Sequence, residues 1–455
     1  MNIQELVQRQ RRYFATGATR PLAFRRRRLR ALREALLAAR PEIEQALKAD
    51  LNKSSYETFL TELAMVVGEI DDALRHLEKW AAPRRRGTPL SHFPAVSRVY
   101  PEPYGVVLVL SPWNYPLQLA LAPVVGAIAA GNCVLVKASR HSAHTTALLH
   151  RLLSRVFSPE YVACVDETIP YGDVLAQRYD MIFFTGSPRV GRQVMAAAAA
   201  HLTPVVLELG GKSPCFVDAE CDLAVAARRI AWGKLLNAGQ TCVAPDYVLV
   251  DSRVKDRFIE LLMRQAEKMF PHPLHDPDYP RIVSRRHYDR LCGLLDRATG
   301  VRGGARDAES LHIALAVVEA DFDSEVMREE IFGPILPVIA YDRLDDAVQA
   351  VQKREKPLAC YVFTRRAGYV RAVLERVSFG GGCVNDVVMH LANHNLPFGG
   401  VGNSGMGSYH GKDGFDTFSH HKSVLHNRTH PDIPLRYAPY NEKNLPLLQR
   451  VLLGR

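Results

Sequence analysis

The 455-residue chain is bounded first by what it lacks. Its eight cysteines (133, 164, 215, 221, 242, 292, 360 and 383) show neither C-x-x-C spacing nor a paired framework. That argues against a zinc site and a disulfide scaffold, and for a reducing compartment. The opening residues Met1-Asn2-Ile3-Gln4-Glu5 are polar from the start, so no secretory signal is expected. No apolar run approaches the length needed to cross a bilayer, and a cytoplasmic protein is predicted. Internal repeats and low-complexity segments are also missing. Acidic residues are in deficit: 58 Lys and Arg stand against 48 Asp and Glu, a net charge of +10. The excess gathers at residues 25–28 and 84–86, without the interleaved aromatics or binding module that nucleic-acid recognition requires. A solvated basic face is the simplest reading, and its field would help gather an anionic ligand.

What is present is ordinary for a globular protein: 47% hydrophobic and 23% charged residues, over a length that calls for two or three domains. Residues 1–80 read as helices. Leu22, Leu29, Leu32 and Leu36 keep helical spacing, Pro41 interrupts, and Leu60, Leu63, Val67, Ile70 and Leu77 share a face of a later run. Residues 83–103, with Pro, Gly and Arg around an alternating stretch at 97–100, predict an excursion between domains ending in an edge strand. Five short apolar runs (106–110, 133–137, 161–165, 181–185 and 205–209) then alternate with helical ones. That pattern predicts an α/β fold with a parallel sheet covered on both faces. A second α/β alternation follows from 212 to 390. Its helices are expected at 222–236, 253–268, 342–354 and 367–377, and its strands at 246–251, 359–364 and 383–385. An irregular basic stretch runs up to 305. Residues 445–453, apolar but carrying Pro446, Gln449 and Arg450, predict a tail packed on a surface, a partner subunit's being one choice.

Parallel sheets bind ligands at the carboxyl ends of their strands, so the residues after each run are the candidates. After the first comes Asn114, between two aromatics in a turn held by Pro112 and Pro116. A buried amide is either satisfied in place or kept available to a ligand. Lys137 ends the second run with Arg140 close behind, placed to meet ribose or phosphate oxygens or simply to lie at the surface. After the fourth, Gly186, Ser187, Pro188 and Gly191 make a turn and helix start suited to phosphate. After the fifth, Glu208 precedes Gly210 and Gly211 and offers an acid or base with space beside it, or a structural carboxylate. The G-x-G-x-x-G at 400–405 follows a loop, not a strand, and reads as a decoy. Cys242, in Gly239-Gln240-Thr241-Cys242, sits between a helix and a strand, where a scaffold presents one side chain to a cleft. Alone, such a cysteine is more often a small buried hydrophobe.

Together these stretches resemble the aldehyde dehydrogenase superfamily, and most closely its class 3 branch. PWNYP at 112–116, FTGSPRVG at 184–191, ELGGKSP at 208–214, GQTC at 239–242, EEIFGP at 329–334 and LPFGGVGNSGMGSYHGKDGFDTFSH at 396–420 keep the family's order and spacing over nearly the whole chain. The class 3 assignment rests on the YHG-K-F-TFSH run and the early start. The resemblance implies a Rossmann-like cofactor domain (1–82 with 104–207) and a second α/β catalytic domain (208–395). It adds a small bridging and oligomerisation element with a C-terminal tail (83–103 with 396–455), a homodimer and no metal. Cys242 is implied as nucleophile, Asn114 with the Cys242 N–H as oxyanion donors, and Glu208 as the base that activates water. Cofactor contacts are implied for Lys137, Gly186, Ser187, Gly191, Glu330 and Phe332. A substrate tunnel lined by Tyr115 and Phe398 would suit medium- or long-chain aliphatic or aromatic aldehydes. The implied reaction is NAD(P)-dependent oxidation of an aldehyde to a carboxylic acid through a thioester.

One position departs from the family. Where Lys-Pro-Ser-Glu or similar is usual, this chain has Lys137-Ala138-Ser139-Arg140. The usual Glu bonds the adenine-ribose hydroxyls and repels a 2′-phosphate, whereas Arg pairs with phosphate. NADP is therefore expected to be accepted at least as well as NAD, unless Arg140 turns to solvent. A coenzyme A-acylating relative is the nearest rival, but those enzymes generally lack the acid found at Glu208. A non-catalytic homologue is disfavoured by the joint presence of Cys242, Asn114, Glu208 and Glu330. A cofactor-independent cysteine hydrolase would want a histidine partner, and none lies near Cys242 in sequence.

Overall fold

The computed structural model describes residues 2–453. The five apolar runs form the parallel strands Val106–Leu110, Cys133–Lys137, Val162–Cys164, Met181–Gly186 and Val205–Leu209. Their residues are apolar without alternation because helices cover both faces of the sheet. In space the order is 205–209, 181–186, 106–110, 133–137, 162–164. The chain therefore leaves 106–110 to one side and returns on the other. That reversal opens a crevice at the carboxyl ends of 106–110 and 181–186, where Asn114 and Ser187 follow. A sixth strand, Gly405–Met406, adds antiparallel to 205–209 with Gly405 opposite Glu208. The G-x-G-x-x-G stretch is thus a 3-10 turn, Gly402–Ser404, running into a sheet edge, and no cofactor-type helix follows it.

Helix Gln118–Ala130, apolar on every side, is buried along its whole length behind this sheet. Its first amides need acceptors, and Glu62 Oε2 accepts from the Leu117 and Gln118 N–H groups at 3.0 and 2.9 Å. Lys53 Nζ reaches the other Glu62 oxygen at 2.7 Å, with both side chains fully buried.

The second sheet has seven strands, in the order 301–303, 316–319, 335–341, 247–251, 214–217, 359–363, 381–384. All pair in parallel except Val301–Gly303. Pro214–Val217, Ala316–Glu319 and Ile335–Tyr341 go beyond the strands expected from sequence. The stretch read as irregular also contains helix Arg285–Arg297, which buries Tyr288, Leu291 and Leu295 and starts with Ser284 Oγ accepting from the His287 N–H. Arginines between the apolar positions hide that period in the sequence.

A third, antiparallel sheet joins Arg84–Arg86, Val96–Pro103 and Ser419–His426. Val96–Pro103 is its middle strand, not the expected edge, because 419–426 pairs along its full length. The tail forms helix Leu445–Leu453 beside the turn Leu90–His92, with Leu445, Leu447, Leu452 and Leu453 exposed. Among the described residues no helix is long and apolar enough to cross a membrane.

Candidate active site

A cavity of about 1000 Å³ is walled by residues of both large sheets, at the upper end of the range for ligand sites. It brings together Asn114, Gly186, Ser187, Glu208, Cys242, Glu330 and Phe332.

Cys242 follows a loop of unusual backbone. Asn237, Ala238 and Gly239 have φ of 50°, 50° and 74° in succession, which is costly for alanine. A Cβ on Gly239 would overlap the Gly333 carbonyl, so only glycine fits there. Hydrogen bonds hold the loop. The Asn237 N–H donates to Glu57 Oε1 (2.8 Å), and Asn237 Nδ2 donates to the Asn114 carbonyl (2.8 Å) and the Gln240 carbonyl (3.1 Å). Gln240 Nε2 donates to the Arg281 carbonyl at 3.0 Å. Burial, then the nearby Glu330 and Glu208, push the Cys242 thiol up to about 12, while the Cys242 and Val243 N–H groups pull the other way.

Asn114 is buried, and its Nδ2 donates one hydrogen to the Gln240 carbonyl at 3.0 Å. The amide's second hydrogen remains for the cavity. Glu208 is also buried, with neither carboxyl oxygen hydrogen-bonded, so burial raises its pKa well above the ordinary carboxylate range. Glu330 sits against Gly210, where a Cβ would overlap its carboxylate, and the Gly211 N–H hydrogen-bonds to it. Burial, with Asp246 behind it, pushes Glu330 up to about 8. Its loop is tied by Lys212, which pairs with Asp246 and donates to the Val326 and Glu329 carbonyls, both at 2.9 Å. Asp246 Oδ1 in turn accepts from the Ile331 N–H at 3.0 Å.

Not every expected residue faces this cavity. Lys137 lies at the sheet's carboxyl edge, but its Nζ donates to the Asp166 and Glu167 carbonyls at 2.7 and 3.2 Å. Arg140 is exposed and, among the described residues, has no ion-pair partner. Gly191 lets helix Pro188–Ala199 approach the sheet, since a Cβ there would lie 2.8 Å from Leu209 Cδ2. Tyr115 and Phe398, expected on the substrate path, are absent from the walls of this cavity. Lys53 lies 3.8 Å from the centre of the Tyr115 ring, and the Tyr115 hydroxyl shares a 2.6 Å hydrogen bond with Thr241. Phe398 is bridged to Tyr409 through both backbone groups, and its ring packs on Tyr409 and His410.

The walls also include residues that the sequence did not single out. Trp113 packs against both Phe332 and His287, at 5.4 Å each. Burial and Arg290 push His287 down to about 4, so it is neutral. Ser284 followed by apolar residues at 288, 291 and 295 was the helix signal that would have found His287.

The cavity suits a dinucleotide. Ser187 caps the N-terminus of helix Pro188–Ala199 beside the glycine turn, a place for pyrophosphate. Arg189, Lys212, Arg290 and Lys356 add positive charge to the walls.

A doubly wound sheet joined to a second α/β sheet, with a thiol, an amide and a carboxyl on a cavity of dinucleotide size, is the architecture of a nucleotide-dependent oxidoreductase. Residues 1–424 match the aldehyde dehydrogenase family. A dog protein named "Aldehyde dehydrogenase, dimeric NADP-preferring" is 42% identical over 93% of this chain and 94% of its own length. "Aldehyde dehydrogenase family 3 member H1" of Arabidopsis thaliana is 44% identical over 98% of this chain and 94% of its own. A solved structure titled as the substrate-bound state of Staphylococcus aureus AldH superposes with a TM-score of 0.95 at 40% identity, covering 98% and 99% of the two chains. The chain belongs to the aldehyde dehydrogenase family, and several of its curated relatives at 43–44% identity are named as family 3 members.

Proposed function

We propose that the protein oxidises aldehydes to carboxylic acids, using NAD or NADP, through a thioester on Cys242. The observation that carries this reading is the convergence of Cys242, Asn114 and Glu208 on one cavity. The Cys242 thiol gives its proton to solvent once the positive charge of bound NAD(P)⁺ offsets the burial and the nearby carboxylates. The thiolate attacks the aldehyde carbon, and the carbonyl oxygen becomes an oxyanion. The free Asn114 amide hydrogen and a backbone N–H beside the sulfur stabilise it. Bound NAD(P)⁺ supplies the acceptor for the hydride that leaves this carbon. Glu208 then takes a proton from water, whose oxygen attacks the thioester. The carbon–sulfur bond breaks, and carboxylic acid and thiol are released.

In this reading Glu330 and Phe332 position the nicotinamide end and Gly186 and Ser187 the pyrophosphate. The adenosine end extends past the cavity wall to the exposed Arg140 and to Lys137, which then exchanges the Asp166 and Glu167 carbonyls for ribose hydroxyls. Residues 1–82 with 104–207 form the cofactor domain and 208–395 the catalytic domain, with 83–103 and 396–455 bridging two subunits of a homodimer. Gly405–Met406 crosses that division by joining the first sheet. The substrates are apolar aliphatic or aromatic aldehydes, met by Trp113 and Leu119 in the cavity wall, and the compartment is the cytoplasm.

The test follows cofactor reduction over aliphatic and aromatic aldehydes with both nucleotides, with free acid as the product. Cys242→Ala abolishes the signal. Full activity in that variant, or acyl-coenzyme A as the product, refutes the mechanism.

A further inference from the structure

The cysteine spacing offers no zinc site, but three other side chains meet far from one another in sequence. Glu69 lies within helix Ala64–Ala81, His394 lies in the loop after Met389–Ala392, and His410 precedes helix Gly411–Thr417. Glu69 Oε2 accepts from Nδ1 of His394 at 3.0 Å and from Nδ1 of His410 at 3.2 Å. The other oxygen, Oε1, accepts from the Gly411 N–H at 2.7 Å. One ligand atom from each of the three residues lies within 4.8 Å of the other two.

We propose that Glu69, His394 and His410 form a binding site for a divalent transition-metal ion of the zinc class, separate from the catalytic cavity. Two imidazoles and a carboxylate with a fourth position open to water are a donor set that such ions take, with bonds of about 2.0–2.1 Å. Tetrahedral geometry with those bonds spaces the ligand atoms by about 3.3 Å, close to the 3.0 and 3.2 Å separations here. The surroundings are built to hold this geometry. The Gly411 N–H fixes the carboxylate from outside, as an outer partner of a metal ligand does. The His410 ring stacks on Tyr409 with centroids 4.0 Å apart. Gly68 leaves space for the other ring, since a Cβ there would lie 3.1 Å from His394 Nε2.

Glu69 and His410 have side chains only 4% and 3% exposed, whereas His394 is 25% exposed and forms the way in. On binding, each Nδ1 loses its hydrogen. A neutral ring shifts to the Nε2–H tautomer, and an imidazolium releases one proton to solvent. The ion then ties helix Ala64–Ala81 to the segment carrying His394 and His410. Its role is to clasp, since none of the three ligands lines the catalytic cavity.

The test titrates Co²⁺ into the chelator-treated full-length protein in a Cys242→Ala background, so that the catalytic thiol does not compete. One equivalent gives the visible bands of tetrahedral cobalt without a near-ultraviolet thiolate charge-transfer band. His394→Ala, whose fold is checked by its metal-free melting temperature, weakens binding at least about tenfold. His394→Cys keeps binding and gains the thiolate band, which a purely structural histidine would not cause. The proposal is overturned if the parent binds no Co²⁺, if His394→Ala binds as tightly as the parent, or if His394→Cys shows no thiolate band.

Discussion

Glu208→Gln separates the two halves of the proposed reaction. Glu208 is buried, and neither of its oxygens has a hydrogen-bond partner. Burial therefore keeps it protonated well above the ordinary carboxylate range. Glutamine keeps the shape and exchanges one unpaired neutral polar group for another, so the fold loses no bond. What it loses is the ability to take a proton from water. General-base removal costs roughly 10²–10⁴ in rate, which at 1.36 kcal/mol per tenfold is about 3–5 kcal/mol of barrier. That loss falls on deacylation alone, because thiolate attack and hydride loss do not use Glu208. In rapid mixing of enzyme, NAD(P)⁺ and aldehyde, the variant gives a reduced-cofactor burst of one equivalent per site and then a steady state slower by that factor. Mass spectrometry finds the acyl group on Cys242. In the parent, the deacylation rate climbs with pH on the alkaline side of the usual carboxylate range, because the base must ionise first. A variant with neither burst nor adduct, or with an unchanged steady state, refutes the assignment.

Three further outcomes are expected. Arg140→Glu lowers kcat/KM for NADP at least about tenfold while sparing NAD, since a phosphate-pairing cation is replaced by a repelling anion; an NAD preference that is strong in the parent and unchanged in the variant would sink that role. Lys53→Met leaves Glu62 buried without its partner and lowers stability by about 3–5 kcal/mol, read from the denaturant midpoint, and a loss within error contradicts the pairing. Burial pushes Glu57 from its ordinary 4.5 up to about 7. Between those values the native state binds more protons than the unfolded one, so stability falls as pH rises through this window and stays lower above it. Glu57→Gln, which keeps an acceptor for the Asn237 N–H, is more stable than the parent by up to about 3 kcal/mol at roughly pH 8 and equal to it near pH 4; identical pH slopes of the unfolding midpoint refute this.

The strands of the first sheet were legible because a parallel sheet covered on both faces demands unbroken apolar runs, and 106–110 or 133–137 supply them. Asn114, Ser187 and Glu208 were candidates from topology, since strand ends at a reversal of order are where ligands bind, whereas the roles of Cys242, Glu330 and Phe332 were implied only by the family resemblance. Other parts depend on partners that no local pattern reveals. Tyr115 sits in a motif that the sequence displays, but Lys53, 62 positions earlier, captures its ring. Lys137 was placed at the correct edge, yet its ammonium is taken by carbonyls after the neighbouring strand. Helix Arg285–Arg297 was hidden by Arg285, Arg286 and Arg290 among its apolar positions, and His287 was hidden with it.

Asn114 and Cys242, the proposed oxyanion donor and nucleophile, come from different sheets, so their separation would vary with any motion between those sheets unless something ties them. The tie is made of backbone carbonyls shared across the gap. The Gln240 carbonyl accepts from both Asn114 Nδ2 and Asn237 Nδ2. The Asn114 carbonyl accepts from both Asn237 Nδ2 and Lys53 Nζ, the latter at 3.0 Å. Each loop therefore supplies acceptors to the other, and Lys53 extends the network to Glu62, which caps the helix behind Asn114. This network over-determines the left-handed run at 237–239, which would otherwise cost of order 1–3 kcal/mol per strained residue. The strain lies next to the thiol, with Cys242 three residues beyond Gly239, and at a reacting centre a misplacement of about 1 Å can cost 10²-fold in rate.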